Sequence, residues 1–339
     1  MSAPTAAPAD EAVVAPPSAV PENRRPRRVS NTPSRVDRWF DRITLASGIV
    51  VLLLLLLVGL FLLQRSRDAL GQAGWGFLTR EQWRTDVNPP EIGVLGLLTG
   101  TVIVALIAVA IAIPLGVCSA LFITEYASPR WRTGLTSLVD LLAAIPSLIF
   151  GLWGFLYLAP KMVSLSEWIT AHFGWIPIFQ VDKGARFTGS MFVAGVVVSL
   201  MVVPIIASVV REVFAQTPPG EKEAALALGS TRWGMIRTVV LPYGKGGIIG
   251  GSMLGLGRAL GETIAVALLL PQVPEVTGKI LQTGGATVSG FIVLRAGADK
   301  FTTSGLMAAG LVLFVITLGT NMFASVVVSR SRSGAGVDL

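Results

Sequence analysis

Long uninterrupted apolar runs dominate the chain, in place of the alternation or single helical stripe of a water-soluble domain. Runs able to cross a hydrocarbon core, roughly 20 residues at about 1.5 Å each, recur six times between Ile43 and Ser329. They predict helices over 43–63, 93–124, 134–160 and 188–210, a fifth from 246 to just before Pro271, and a sixth filling most of 301–329. Pro114 in the second predicts a kink rather than a break, because neighbouring groups re-satisfy the backbone that a membrane proline frees. The first run contains VVLLLLLLVGLFLL and has the look of a signal-peptide core, yet 42 residues precede it and no small-x-small site stands before Gln64-Arg65-Ser66-Arg67. It is expected to stay as an uncleaved span.

The pattern therefore predicts an all-α membrane protein with six transmembrane helices. Its parts are a disordered tail over 1–35, a first helix within 36–64, an external loop over 65–92, a core of five spans over 93–329 that contains a loop at 211–245, and a tail over 330–339. Composition agrees: 52% of the 339 residues are hydrophobic and 14% charged, against about 25% charged in soluble domains, and the mean hydropathy is +0.69. Residues 1–35 are rich in Pro, Ala, Ser and Arg and have little apolar surface to offset the entropy of ordering.

A net charge of +7 would suggest nucleic acid in a soluble protein, but here the basic residues flank apolar spans. Topology explains them, and no nucleic-acid partner is expected. Alternate connections carry sixteen Lys and Arg on the side that includes both tails and ten on the other, which puts both termini in the cytoplasm. Cys118 and His172 are each alone, so no disulfide or cysteine-based metal site can form within the chain, and His172 reads as a surface or interfacial residue. Near it, Trp168, Phe173 and Trp175 suit an aromatic belt at headgroup level or a docking surface for a soluble partner.

The loop at 211–245 is too structured in pattern for a plain connection. After Pro218-Pro219-Gly220, the segment 221–228 consists mostly of strong helix formers with acidic residues in its first turn. Gly229 is placed to end it. A second short helix is predicted over 231–240, capped by Ser230 or Thr231 and stopping before Pro242.

Arg258 and Glu262 fall well inside the fifth predicted helix, where an uncompensated charge costs about 2.5–3.5 kcal/mol on insertion scales. At 100° per residue, Gly247, Gly251 and Gly255 lie within about 60° of Arg258, and Glu262 within about 40°. That face is expected to let a neighbouring helix or subunit come close and to line a route through the membrane. Two readings of the charges fit: an Arg fork that holds an oxyanion, or an i, i+4 pair whose members neutralise each other. Asp140 lies near the start of the third helix, where it either reaches interfacial water or joins the route. Thr99, Thr101 and Ser147 could add polar lining, although hydroxyls commonly bond their own helix.

Glu223-Ala224-Ala225, then Gly229, then Val239, Leu241 and Pro242, reproduce the spacing of the EAA loop and resemble that of ABC importer permeases. The departure is Val239, where the pattern has Ile. The segments Gly257-Arg258-Ala259-Leu260-Gly261-Glu262-Thr263-Ile264-Ala265-Val266, Ala143-Ala144-Ile145-Pro146-Ser147 and Gly151-Leu152-Trp153-Gly154 are similar to those of the phosphate-specific permeases of the PstC type. The resemblance runs from about Gly93 to Ser329 and implies the type I ABC importer permease fold. It also implies a heterodimer with a PstA-like sister permease, two copies of a PstB-like ATPase seated on the EAA loop, and a PstS-like extracytoplasmic phosphate-binding protein. The chain has no GxxxxGK[ST] loop. It is expected to be non-catalytic and to bind no cofactor or metal, with ATP and Mg used by the ATPase partner. A permease for another oxyanion, such as sulfate or molybdate, would keep the same loop, and a secondary transporter or channel would work without an ATPase.

Overall fold

The computed structural model describes residues 35–85 and 87–332. The tail expected over 1–35, apart from Arg35, and the end of the chain past Arg332 lie outside the described residues. The chain divides into two compact units, one ending at Leu55 and one beginning at Leu56.

The elements are, in order, α1 (Arg35–Arg65), α2 (Arg67–Ala73), α3 (Gly76–Thr79), β1 (Trp83–Arg84), β2 (Glu91–Ile92), α4 (Leu95–Leu121), α5 (Pro129–Ala144), α6 (Ser147–Trp153), α7 (Ala159–Phe173) and α8 (Met191–Ala215). There follow α9 (Pro219–Ala227), α10 (Arg232–Met235), α11 (Leu241–Gly261), α12 (Ile264–Leu269), α13 (Val288–Leu294) and α14 (Lys300–Arg332). Three π turns extend or join helices: Phe122–Tyr126 after α4, Gly154–Leu158 between α6 and α7, and Ile236–Val240 between α10 and α11.

Among the described residues, five helical stretches are long and apolar enough to cross a membrane: Arg35–Arg65, Leu95–Tyr126, Ser147–Phe173, Met191–Ala215 and Lys300–Val326. The second passes unbroken through Pro114. The third differs from the expected 134–160. Pro146 disfavours helix in the residue before it, Ile145 is extended (φ −64°, ψ 128°), and the stretch divides into α5 and a helix that runs to Phe173. Pro160 does not end that helix, because it sits in the first turn of α7, where a missing N–H is tolerated.

The fifth expected span is also divided. α11 starts early, at Leu241, with Pro242 in its first turn, and ends at Gly261; Glu262 is extended (φ −64°, ψ 131°) before α12 begins. The glycines, Lys245 and Arg258 of α11 dilute its apolar character, so it is not among the five.

The larger core lies where α4, α8 and α11 meet. Ala105, Ala108, Ala112, Gly116 and Ala120 form a small-residue stripe on α4, buried against Val197, Val198, Val202 and Ile206 of α8. A Cβ at Gly116 would stand 2.8 Å from Ile206 Cγ2, so the two helices approach at backbone distance there. A second core forms from the segment expected as a loop over 65–92. Phe77, Trp83, Ile92 and Val94 pack with Phe291 and Leu306, and Trp83 sets its ring edge-on to Phe77 and Phe291, with centroids 6.4 and 5.1 Å away.

Candidate functional site

The loop between α8 and α11 folds as a helical hairpin. α9 starts at Pro219 and ends at Ala227, and Gly229 takes φ +83°, a left-handed turn that suits a residue without Cβ. Thr231 caps α10: its hydroxyl accepts from Gly234 N at 3.1 Å. The second helical segment does not stop before Pro242. It passes through the π turn Ile236–Val240, where the backbone pairing shifts to i→i+5, and runs into α11.

α9 has two faces. Lys222 and Ala225 point inward, and Ala225 packs against the larger core, as does Leu241. Glu223, Ala224, Leu226 and Leu228 point outward, with Leu228 90% exposed, and Trp233 on α10 is 58% exposed beside them. Val239 is half-buried and Pro242 exposed. The outward face thus carries an acid and an apolar patch that the described residues leave uncovered.

Sequence reasoning missed what holds the inner face. Lys222 Nζ donates to Glu125 Oε1 at 2.6 Å, and the Glu125 side chain is 7% exposed. Glu125 belongs to the π turn that ends α4, and Arg132 of α5 caps the same turn, donating to the Ile123 carbonyl at 3.2 Å and the Thr124 carbonyl at 2.6 Å. Arg232 of α10 lies 5.4 Å from the ring centre of Tyr126. Glu125 and Lys222 stand 97 positions apart, and neither shows a helix-face or motif signal that would pair them.

The glycine face of α11 meets α8. Cβ atoms at Gly247 and Gly255 would stand 2.6 Å from Val213 and 2.7 Å from Val202, while Gly251 has Val210 at 3.3 Å. Arg258, on the same continuous helix, stays within about 60° of those glycines and is exposed, whereas Glu262 lies beyond the helix end and is buried. The i, i+4 geometry needs continuous helix, and the extended backbone at Glu262 removes it. Ion pairs join Arg211 to Asp140, Lys222 to Glu125 and Lys279 to Asp182, and none is observed between Arg258 and Glu262. The Glu262 carbonyl accepts from Ser289 Oγ, which ties the break to α13.

Asp140 on α5 accepts from Ser208 Oγ at 3.1 Å and pairs with Arg211 of α8 at 3.5 Å. Its side chain is half exposed and that of Arg211 is 16% exposed. Thr99 and Thr101 donate to the Leu95 and Leu97 carbonyls of their own helix, and Thr101 Oγ1 also accepts from Val288 N at 3.0 Å. His172 stacks on Trp168 with ring centres 4.5 Å apart.

At the end of the bundle away from α9, the segments 178–192 and 279–284 are zipped by backbone bonds from Ile280 N to Ile178 O (3.2 Å) and from Phe192 N to Ile280 O (3.0 Å). Lys279 Nζ adds a charged bond to Asp182 at 2.5 Å. That bond, followed by one from Gln282, holds the Asp182 carboxyl below its ordinary 3.8. No group of His, Cys, Asp or Glu among the described residues is arranged to hold a metal.

Residues 112–333 match the family of binding-protein-dependent transport system inner membrane components. Among curated proteins, the chain is 38% identical to the phosphate transport system permease protein PstC 2 of Mycobacterium tuberculosis, over 94% of this chain and 98% of that protein. It is also 38% identical to the phosphate transport system permease protein PstC of Xylella fastidiosa, over 88% of this chain and 92% of that one. Among solved structures, the chain shares its fold with a bacterial ABC transporter involved in the import of the acidic polysaccharide alginate. The TM-score is 0.52 at 18% identity, over 88% of this chain and 99% of that chain. The chain belongs to the family of binding-protein-dependent transport system inner membrane components, within its group of PstC permeases.

Proposed function

We propose that this chain is the membrane permease subunit of an ATP-driven importer that carries inorganic phosphate into the cytoplasm. The observation that carries the reading is the hairpin from Glu223 to Pro242, whose exposed outward face presents an acid and apolar side chains on an inner-membrane permease of the PstC group. That face suits the groove of an ATPase, with Ala224 permitting close approach and Gly229 setting the turn. Two ATPase copies, using ATP and Mg, would serve this chain and a sister permease, and an extracytoplasmic phosphate-binding protein would deliver substrate to the opposite end. Both termini and α9 then lie in the cytoplasm, the side with the excess of Lys and Arg.

Substrate recognition falls to the broken end of α11. Arg258 is exposed and free of an ion pair to Glu262, so its guanidinium can offer two parallel N–H donors to a phosphate oxygen pair. Glu262 is held back in the protein beside the helix break. Movement of the hairpin on ATP binding and hydrolysis would bias α11 and α8 between outward and inward openings.

The test is uptake into proteoliposomes that contain this chain, its sister permease and the ATPase, with the binding protein supplied. Phosphate uptake should require ATP, fall with arsenate as competitor and ignore sulfate and molybdate. Preferential inhibition by sulfate or molybdate would overturn the phosphate assignment, and ATP-independent uptake by this chain alone would overturn the importer class. Arg258→Gln should abolish most uptake with the complex intact.

A further inference from the structure

α9 is joined to the rest of the chain by the short turn 216–218 after α8 and by the left-handed Gly229 before α10, and Ala225 seats it on the larger core. A charged fastening is added on the same inner face: Lys222, one turn into α9, reaches Glu125 on the π turn that ends α4, and this bond at 2.6 Å is largely shielded from water. The turn is itself held rigidly, since Arg132 occupies the Ile123 and Thr124 carbonyls that no following helical turn can reach, and Arg232 covers Tyr126. Three cations from three segments therefore grip one five-residue turn at the foot of α4.

α4 lies at the centre of the larger core, packed along α8 by its small-residue stripe. A displacement of α9 thus reaches the membrane through the covalent turn to α8, through Gly229 and α10 to α11, and through the Lys222–Glu125 bond to α4. Charged hydrogen bonds are short and directional, and a shielded one resists being stretched or replaced by water.

We propose that the Glu125–Lys222 ion pair is a strut that delivers movement of the α9 hairpin to α4, making both residues positioning residues for coupling of ATP hydrolysis to transport. The proposal rests on the reading of the hairpin's outer face as the ATPase dock. It assigns Lys222 and Glu125, on the inner face, a role distinct from docking.

The experiment uses the full chain co-assembled with its sister permease and ATPase in proteoliposomes, reading ATP hydrolysed and labelled phosphate taken up in the same sample. Glu125→Gln keeps shape and leaves Lys222 long enough to reach water, so assembly should survive. With Glu125→Gln or Lys222→Gln, ATPase binding and hydrolysis should persist, while phosphate moved per ATP falls about fivefold or more. The exchange Glu125→Lys with Lys222→Glu should restore most of the ratio. An unchanged ratio in the single variants overturns the strut. So does a parallel fall of hydrolysis and uptake that the exchange does not rescue, or loss of the complex in both single variants, because each marks a purely structural pair. Gly229→Trp separates the two ideas. Should it leave ATPase binding and uptake intact, the docking reading fails and the strut with it; should it release the ATPase while Glu125→Gln leaves the ratio unchanged, the strut alone fails.

Discussion

At the residue scale, charges inside or beside the bundle have different fates that sequence position alone does not distinguish. Asp140 and Arg258 both lie in predicted spans, yet Asp140 joins α5 to α8 through Ser208 and Arg211, while Arg258 has no ion pair among those observed. Asp140→Asn should keep the bond from Ser208 and weaken the one from Arg211. With Asp140 half exposed the loss is about 0.5–1 kcal/mol, seen as a small drop in melting temperature in detergent, with the competition profile of uptake unchanged. A shift in that profile would instead place Asp140 in the path. Asp182 gives a pH prediction. Its carboxyl is depressed below 3.8, first by the hydrogen bond from Lys279 and then by that from Gln282, so its contribution is present above the unfolded value and lost as pH falls through the lower folded one. Hydrogen-exchange protection of Ile280 and Phe192 should therefore stay flat from about pH 7 to 5 and decline only below 3.8.

At the scale of elements, the apolar runs announced most helices, and the two predicted spans that broke did so for local reasons of differing visibility. Pro146 was readable, since the residue before a proline leaves the helical region, but the apolar run on both sides hid the break. The break at Glu262 had no such marker; Gly261 and the Ser289 bond to the Glu262 carbonyl favour it, and the second of these is tertiary. The glycine periodicity of α11 was legible because a missing side chain every fourth residue has one geometric use. Gly255→Val should overpack the seam against Val202 and Ile206, costing about 1–3 kcal/mol, whereas Gly261→Ala, with open space around its Cβ, should cost little. Melting temperatures of the two variants in detergent check the contrast, and equal losses would mean the seam is looser than these distances show. The pair Glu125–Lys222 stayed illegible because nothing in a single sequence joins residues so far apart.

At the scale of the whole molecule, the number of crossings decides which side each end occupies. Five apolar helices by themselves would leave the two ends on opposite faces, and a sixth crossing returns them to the same one. A sixth crossing would fall to α11 with α12, which fails on apolarity alone but would need less of it: Gly247, Gly251 and Gly255 face α8, and Ala259, Leu260, Ala265 and Val266 are buried. A helix sheltered by protein can carry Lys245 near one end and Arg258 near the other. The charge count, sixteen Lys and Arg against ten, favours the same parity. Labelling tests it directly. In a Cys118→Ser background, an impermeant maleimide added to intact spheroplasts should modify Asp182→Cys and spare both Glu223→Cys and Ser18→Cys, which react only after lysis. Labelling of Ser18→Cys together with Asp182→Cys would put the first tail outside, and the six-crossing arrangement would fall with it. Labelling of Glu223→Cys from outside would remove the α9 hairpin from the cytoplasm, and with it any contact to an ATPase there.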